Sequence, residues 1–289
     1  TPTEINDSVL TSSIPEPDTA RGEVEWTAGT YLLGDRVIKS STHKVYEVVA
    51  DPSTTDDPEL GVNKAVKTWV IVGATNRYKM FDATIGYQSE ADTQIAVEFD
   101  FGKVTSSLAG FNITGASDIN ISVDDPTDGN VYTNDIPMVD NSGIDGWYDY
   151  FFSPIVNITR FIVTDLPIYP GAKITVTIDG GTIGLGELIA GNTIDLGVTE
   201  YGTGWQGLDF SRKERDEFGV FSVEEGRTAD LLDYDITLPK SRFGYVKNTL
   251  KSLTSMPTVW IGDETDINDG TAVFGYYRDA QINISSPSI

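Results

Sequence analysis

The stretch Thr93-Gln94-Ile95-Ala96-Val97-Glu98-Phe99-Asp100-Phe101 constrains the fold more than any other part of the chain. Its apolar and polar residues alternate with a period of two. Successive side chains of an extended strand point to opposite faces, so Ile95, Val97 and Phe99 share one face and Gln94, Glu98 and Asp100 the other. A strand with one apolar face belongs in an antiparallel sheet with one side buried. Strand-like runs recur at 108–113, 118–123, 147–152, 160–163 and 173–178, and Gly-, Pro-, Asp- and Ser-rich stretches separate them. The segment 124–137 reads as one of these turn-rich stretches. Short strands with regular turns predict an antiparallel sandwich or barrel over 74–198.

A second patterned stretch, 25–72, is smaller. Trp26-Thr27-Ala28-Gly29-Thr30-Tyr31 leads into Gly34-Asp35, and two strand-like runs follow at 36–39 and 44–49. A polar loop carries Pro52 and Pro58, and Trp69-Val70-Ile71-Val72 closes the unit. The first 23 residues are rich in Pro, Ser, Thr and Asp and read as an extended arm, ordered only if it lies on a neighbour. Residues 199–289 differ again. A Gly-rich aromatic loop at 201–207 and a charge cluster at 211–217 precede strands at 220–223 and 233–238. A helix is expected over 241–253: Ser241 is placed to cap it, and Phe243, Val246, Leu250 and Leu253 fall on one face. Strands return at 258–262, 273–277 and 281–285. The fold class expected is mainly β: an arm (1–23), a small N-terminal β-module (24–73), an antiparallel, jelly-roll-like β-sandwich (74–198) and a C-terminal β-rich region with one helix (199–289).

Composition limits the function classes. With 44 acidic against 20 basic residues, the net charge of −24 argues against nucleic-acid binding and against docking on anionic membranes. No apolar run approaches the roughly 20 residues of a membrane helix, and 1–23 lacks the basic start and apolar stretch of a signal peptide. There is no cysteine, so thiolate chemistry and disulfides are excluded.

No catalytic constellation is legible. A Ser-His-Asp arrangement would have to use His43, the sole histidine, and no serine sits in a G-x-S-x-G elbow. Acidic residues are too many for any pair to be singled out as a glycosidase dyad. The Gly180–Gly186 run lacks the lysine of a phosphate loop. The chain is therefore expected not to be an enzyme. Two acidic turns concentrate hard oxygen ligands: Asp124 and Asp128 in one, Asp263, Asp266 and Asp269 in the other. They are candidate ligands for a structural calcium ion, though neither follows EF-hand spacing, and ordinary acidic turns are the competing reading. No other cofactor is expected.

Three resemblances add to this. Trp26, Tyr31, Gly34-Asp35, Val37, Tyr46, a Pro-containing loop and Trp69 resemble the small chitin-binding, carbohydrate-binding modules of families 5 and 12. That likeness implies a sugar site on Trp26, Tyr31, Tyr46 and Trp69, since sugars stack on aromatic faces. It departs at Glu47-Val48-Val49-Ala50, where those modules carry surface aromatics. A small core made of the same rings is the other reading. The run ending in 174–178 and 183–191 is similar to galactose-binding-like jelly rolls. The whole order resembles virion proteins of tailed bacteriophages, through Gly73-Ala74-Thr75-Asn76-Arg77-Tyr78-Lys79-Met80-Phe81-Asp82, residues 183–191 and residues 260–276. This last likeness implies a structural protein of the tail or baseplate, made in the host cytoplasm and resident in the virion. It would be homo-oligomeric, in contact with neighbouring virion proteins, with binding of a host surface glycan as the alternative role.

Overall fold

The computed structural model describes residues 2–84, 86–140, 144–154, 156–200, 202–215, 219–263 and 271–280. Packing divides the chain into two compact units, Pro2–Thr193 and Ile194–Ile289. The protein is mainly β, with several antiparallel sheets and, among the described residues, one helix longer than two turns.

The first unit begins with the arm, which is ordered on its own chain rather than on a neighbour. Strand β1 (Leu10–Ser12) pairs antiparallel with the edge of the main sheet, and Leu10 and Ile14 are buried in its core. Next comes the small module: β2 (Tyr31–Leu32), β3 (Arg36–Lys39), β4 (Lys44–Val48), β5 (Ser53–Thr54), helix α1 (Pro58–Val62) and β6 (Trp69–Ala74). Strands β3, β4 and β6 form a three-stranded sheet, and β2 pairs β5. The expected polar loop contains α1. Asp57 caps that helix by accepting a hydrogen bond from Glu59 N, and Pro58 sits in its first turn, where its missing N–H costs nothing. Within β4, Tyr46 and Val48 point inward, as the alternation requires.

The remaining strands of this unit are β7 (Ser89–Ala91), β8 (Gln94–Phe99), β9 (Ser107–Asp125), β10 (Gly129–Pro137), β11 (Val139–Asp140), β12 (Val156–Asn157), β13 (Arg160–Val163) and β14 (Lys173–Gly191), with helix α2 (Trp147–Phe152). Ile95, Val97 and Phe99 of β8 are fully buried, as their spacing predicts. The runs at 108–113 and 118–123, expected as two strands, are one strand, β9, of 19 residues. The runs at 173–178 and 183–191 are likewise one strand, β14, of the same 19-residue length.

Strands β9 and β14 pair with each other along their whole lengths, and the register slips beside Gly180. A Cβ at Gly115, whose φ is +70°, would sit 1.9 Å from Thr182 O, and one at Gly180 would sit 2.1 Å from Gly115 O. Only glycine permits this close approach of backbones. On one side of the slip the order is β1-β8-β14-β9-β10; on the other, β7 flanks β14 and β13 flanks β9. Both halves feed one apolar cluster, from Ile95, Ile121 and Val176 to Leu108, Phe161 and Leu185. The sandwich-like core is thus enclosed by one sheet carried through on its two longest strands.

Two expectations fail here. The segment 124–137 is mostly strand β10, with the turn confined to its first residues and Gly129 at φ +76°. The run Trp147–Phe152 is a helix, not a strand, and five of its six side chains are aromatic and exposed. It has no period-two alternation. The helix brings rings four residues apart together, with Tyr148 and Phe152 centroids 4.8 Å apart.

The second unit contains β15 (Val198–Thr199), β16 (Gly204–Asp209), β17 (Arg212–Arg215), β18 (Phe221–Glu224), β19 (Thr228–Asp233), β20 (Ile236–Thr237), helix α3 (Phe243–Ser252), β21 (Thr258–Ile261) and β22 (Ala272–Gly275). Helix α3 confirms the expected helix but starts two residues later. Ser241 falls inside a preceding 3-10 turn and does not cap it. Val246 is its buried residue, Leu253 just past its end is buried too, and Phe243 and Leu250 are half-buried. The strand expected at 281–285 lies outside the described residues.

Candidate functional site

The four module aromatics do converge, but as packing rather than as a platform. Trp69 is 0% and Tyr46 2% exposed, so neither ring offers a face to a sugar. Trp69 Nε1 donates to Asp56 O at 3.0 Å, and Tyr46 OH lies 3.0 Å from Thr42 Oγ1. Half-buried Tyr31 meets Trp69 edge-on with centroids 5.5 Å apart, and its hydroxyl donates to Thr27 O at 2.9 Å. Half-buried Trp26 packs on the same cluster with the Lys39 ammonium 5.3 Å from its ring centroid. Where the sequence resemblance would place surface aromatics, Glu47 binds Arg36 at 2.7 Å.

Of the predicted calcium ligands, Asp124 and Asp128 lie at the β9–β10 hairpin. Asp124 accepts from Asn130 Nδ2 at 3.1 Å and Ser122 Oγ at 3.2 Å. The carboxylate that caps the turn is Asp125, which accepts from Thr127 N and Asp128 N, while Asp128 is exposed. Asp263 donates its N–H to Thr271 Oγ1 at 3.2 Å; Asp266 and Asp269 lie outside the described residues. Among the described residues, no three His, Asp or Glu side chains gather into a metal-holding group.

His43, the sole histidine, is half-buried and clasps the arm. Its Nδ1 lies 3.0 Å from Glu16 Oε2 and its Nε2 3.4 Å from Asp7 Oδ2. The imidazole stacks on the Tyr78 ring at 3.7 Å. Tyr78 OH donates to Asp7 at 2.7 Å and Thr75 Oγ1 to Glu16 at 2.6 Å. Nearby, Asn76 donates through Nδ2 to buried Asp18 at 2.7 Å and through its backbone N–H to Glu23 at 2.6 Å. Burial pushes the Tyr78 hydroxyl well above the ordinary tyrosine range. The motif 73–82 thus serves as the socket for the arm.

Sequence reading also missed a buried carboxylate. Glu187 on β14 is 4% exposed, and its Oε2 has no hydrogen-bond partner among the described residues. Burial and the nearby charge of Asp82 raise its pKa to about 8, against a hydrogen bond from Ala83 N that lowers it. Asp82 is itself raised by burial. Embedded in the run Leu185-Gly186-Glu187-Leu188, this residue gave no sign of its environment.

Two concave surfaces complete the picture. In the first unit a hollow of about 290 Å³ is lined by Arg21, Glu23, Arg36, Lys79 and half-exposed Tyr87, among others. In the second unit a groove of about 1140 Å³ lies among α3, the β19–β20 segment and the β21–β22 hairpin. The same unit carries a long two-stranded ribbon, β16–β19 continued by β17–β18. Trp205, Phe210, Phe221 and Val223 all lie more than half exposed on it. No protein-family model, no curated protein and no solved structure matches the chain.

Proposed function

We propose that the chain is a structural component of a bacteriophage virion, in the tail or baseplate, that assembles with copies of itself and with neighbouring virion proteins. The observation that carries this reading is the ribbon of β16–β19. Every residue of β17 and β18 is exposed on both faces. An isolated two-stranded hairpin is at best marginally stable in water, and exposed aromatic patches mark interaction surfaces. A ribbon of this kind gains its stability on a partner. The five exposed rings of α2 supply a second such surface. Motifs resembling those of phage tail proteins supply the setting. The test is light scattering on the purified full chain over a range of concentrations, with a search for the chain in assembled particles. A closed homo-oligomer is the expected result; a strict monomer absent from particles overturns the proposal.

A glycan-binding role is the second reading, and the hollow beside the module favours it there rather than at the four packed aromatics. Tyr87 offers a half-exposed ring, with Arg21, Arg36 and Lys79 around it as hydrogen-bond donors. A glycan array run on the native chain and on Tyr87→Ala decides it. Binding lost in the variant supports the reading; no binding, or binding that survives, removes it.

A further inference from the structure

The ribbon has two unlike faces at its far end. The register pairs Arg212 with Glu224, Lys213 with Val223, Glu214 with Ser222 and Arg215 with Phe221. Alternation therefore places Arg212, Glu214, Ser222 and Glu224 on one face, and Lys213, Arg215, Phe221 and Val223 on the other. The first face is polar and slightly acidic, with Arg212 Nε donating to Glu214 at 2.8 Å and Glu224 beside them. The second is apolar and cationic. Phe221 is 59% and Val223 53% exposed. Lys213 holds Asp209 at 2.6 Å, and Arg215 makes no ion pair among the described residues. On a chain of net charge −24 such a face is out of character.

The groove of the same unit has the opposite chemistry. Buried or half-buried Val246, Leu250, Trp260 and Phe274 give it an apolar lining, and its charged residues are acidic in excess: exposed Asp233 and Asp235 stand at it without an ion pair among the described residues, with Lys240 elsewhere on the lining and Arg278 beside Asp279. We propose that the ribbon of one copy seats its Lys213, Arg215, Phe221 and Val223 face in this groove of a second copy. The apolar side chains enter the apolar lining, and the two cations meet Asp233 and Asp235. The partner is a second copy because each chain carries both halves of the match, and the ribbon cations are local exceptions that offset the repulsion between two acidic bodies. Ribbon and groove are different patches, so the contact is heterologous. It generates a ring if the rotation closes and a filament if it does not.

This inference rests on the proposed assembly role, and one experiment separates the two. The full chain, Lys213→Glu/Arg215→Glu and Asp233→Lys/Asp235→Lys are each measured by light scattering. All four positions are exposed, so far-UV circular dichroism of both variants should match the native chain. Each variant alone places like charges at the contact, and its assembly should weaken by about a hundredfold or more. Mixed in equal amounts, every junction that joins the acidic ribbon of one variant to the basic groove of the other is again matched, and assembly should return. A native chain that stays monomeric overturns the assembly role and the inference with it. Native oligomers that survive both variants, or variants that fail to assemble when mixed, overturn the ribbon-in-groove contact and leave the assembly role standing.

Discussion

Replacing Glu187 by glutamine probes a carboxyl buried on β14, among the strands that enclose the sandwich-like core. The carboxyl is enclosed, one oxygen is unpartnered among the described residues, and Asp82 lies close enough to repel its charge. Its pKa stands at about 8 in the folded chain against an ordinary 4.5. A raised carboxyl pKa means that the folded state holds its proton more tightly than the unfolded state does. Between those two values the folded state binds more protons, so stability falls as pH rises. It is fully present below the ordinary pKa, declines through neutral pH and levels off above pH 8 or so. At about 1.4 kcal/mol per unit, the gap amounts to roughly 5 kcal/mol at the alkaline end, a ceiling because relaxation and water entry reduce it. The amide of Glu187→Gln keeps the shape of the carboxyl and cannot ionise. Urea denaturation followed by tryptophan fluorescence at pH 5, 7 and 9 reads the effect. The variant and the native chain should be close at pH 5, and the variant should be more stable by several kcal/mol at pH 9. A difference that does not grow with pH would refute the reasoning. Asp82→Asn should make the native decline smaller and end it at lower pH, because losing the repelling charge brings the folded-state pKa of Glu187 back toward its ordinary value.

Three further outcomes follow from packing. Trp69→Ala removes the largest side chain of the module core and its bond to Asp56 O, and should cost about 3–5 kcal/mol in denaturant titrations. Gly115→Ala forces a Cβ against Thr182 O at a left-handed backbone position; a loss of about 2 kcal/mol or more by thermal denaturation is expected, with the far-UV spectrum intact in surviving protein. Asp18→Ala leaves Ala20 N without its cap and Asn76 Nδ2 without its carboxylate, which should destabilise the first unit by about 1–3 kcal/mol and speed hydrogen exchange in the arm.

Strand β8 was legible because one face is buried and the other wet, which writes the fold directly into residue order. The long strands were not. Gly115 and Gly180 read as turns, since glycine usually ends a strand, but here each lets two backbones touch while pairing continues past them. Trp147–Phe152 misled for a related reason. Aromatic residues favour strands on a pleated, half-buried surface, and this run finds no such surface. In the candidate site, Trp26, Tyr31, Tyr46 and Trp69 pack into one cluster. Residue identity does not say which ring faces are covered, and Lys39, Asp56 and Val48 cover them from elsewhere in the module. The partners of His43 were invisible because Asp7 and Glu16 belong to the arm.

That clasp explains why arm, module and sandwich behave as one unit. Asp7, Glu16, Asp18 and Glu23 each end on a residue of 43–78, while Leu10 and Ile14 enter the sandwich core. Arm carboxylates at this junction are thus taken up by His43, Thr75, Asn76 and Tyr78. The module's own sheet is too small to hold a stable core alone, since a few strands around a cluster of Val37, Tyr46, Val48 and Trp69 give little apolar area. Tethering it to the larger core through a folded-back arm supplies what it lacks. The Ile194–Ile289 unit has no comparable clasp within its ribbon, whose β17 and β18 strands remain exposed on both faces. The physical asymmetry is that arm, module and sandwich share buried apolar contacts and hydrogen-bonded carboxylates, with the rings of α2 the exception, whereas β17 and β18 bury neither face.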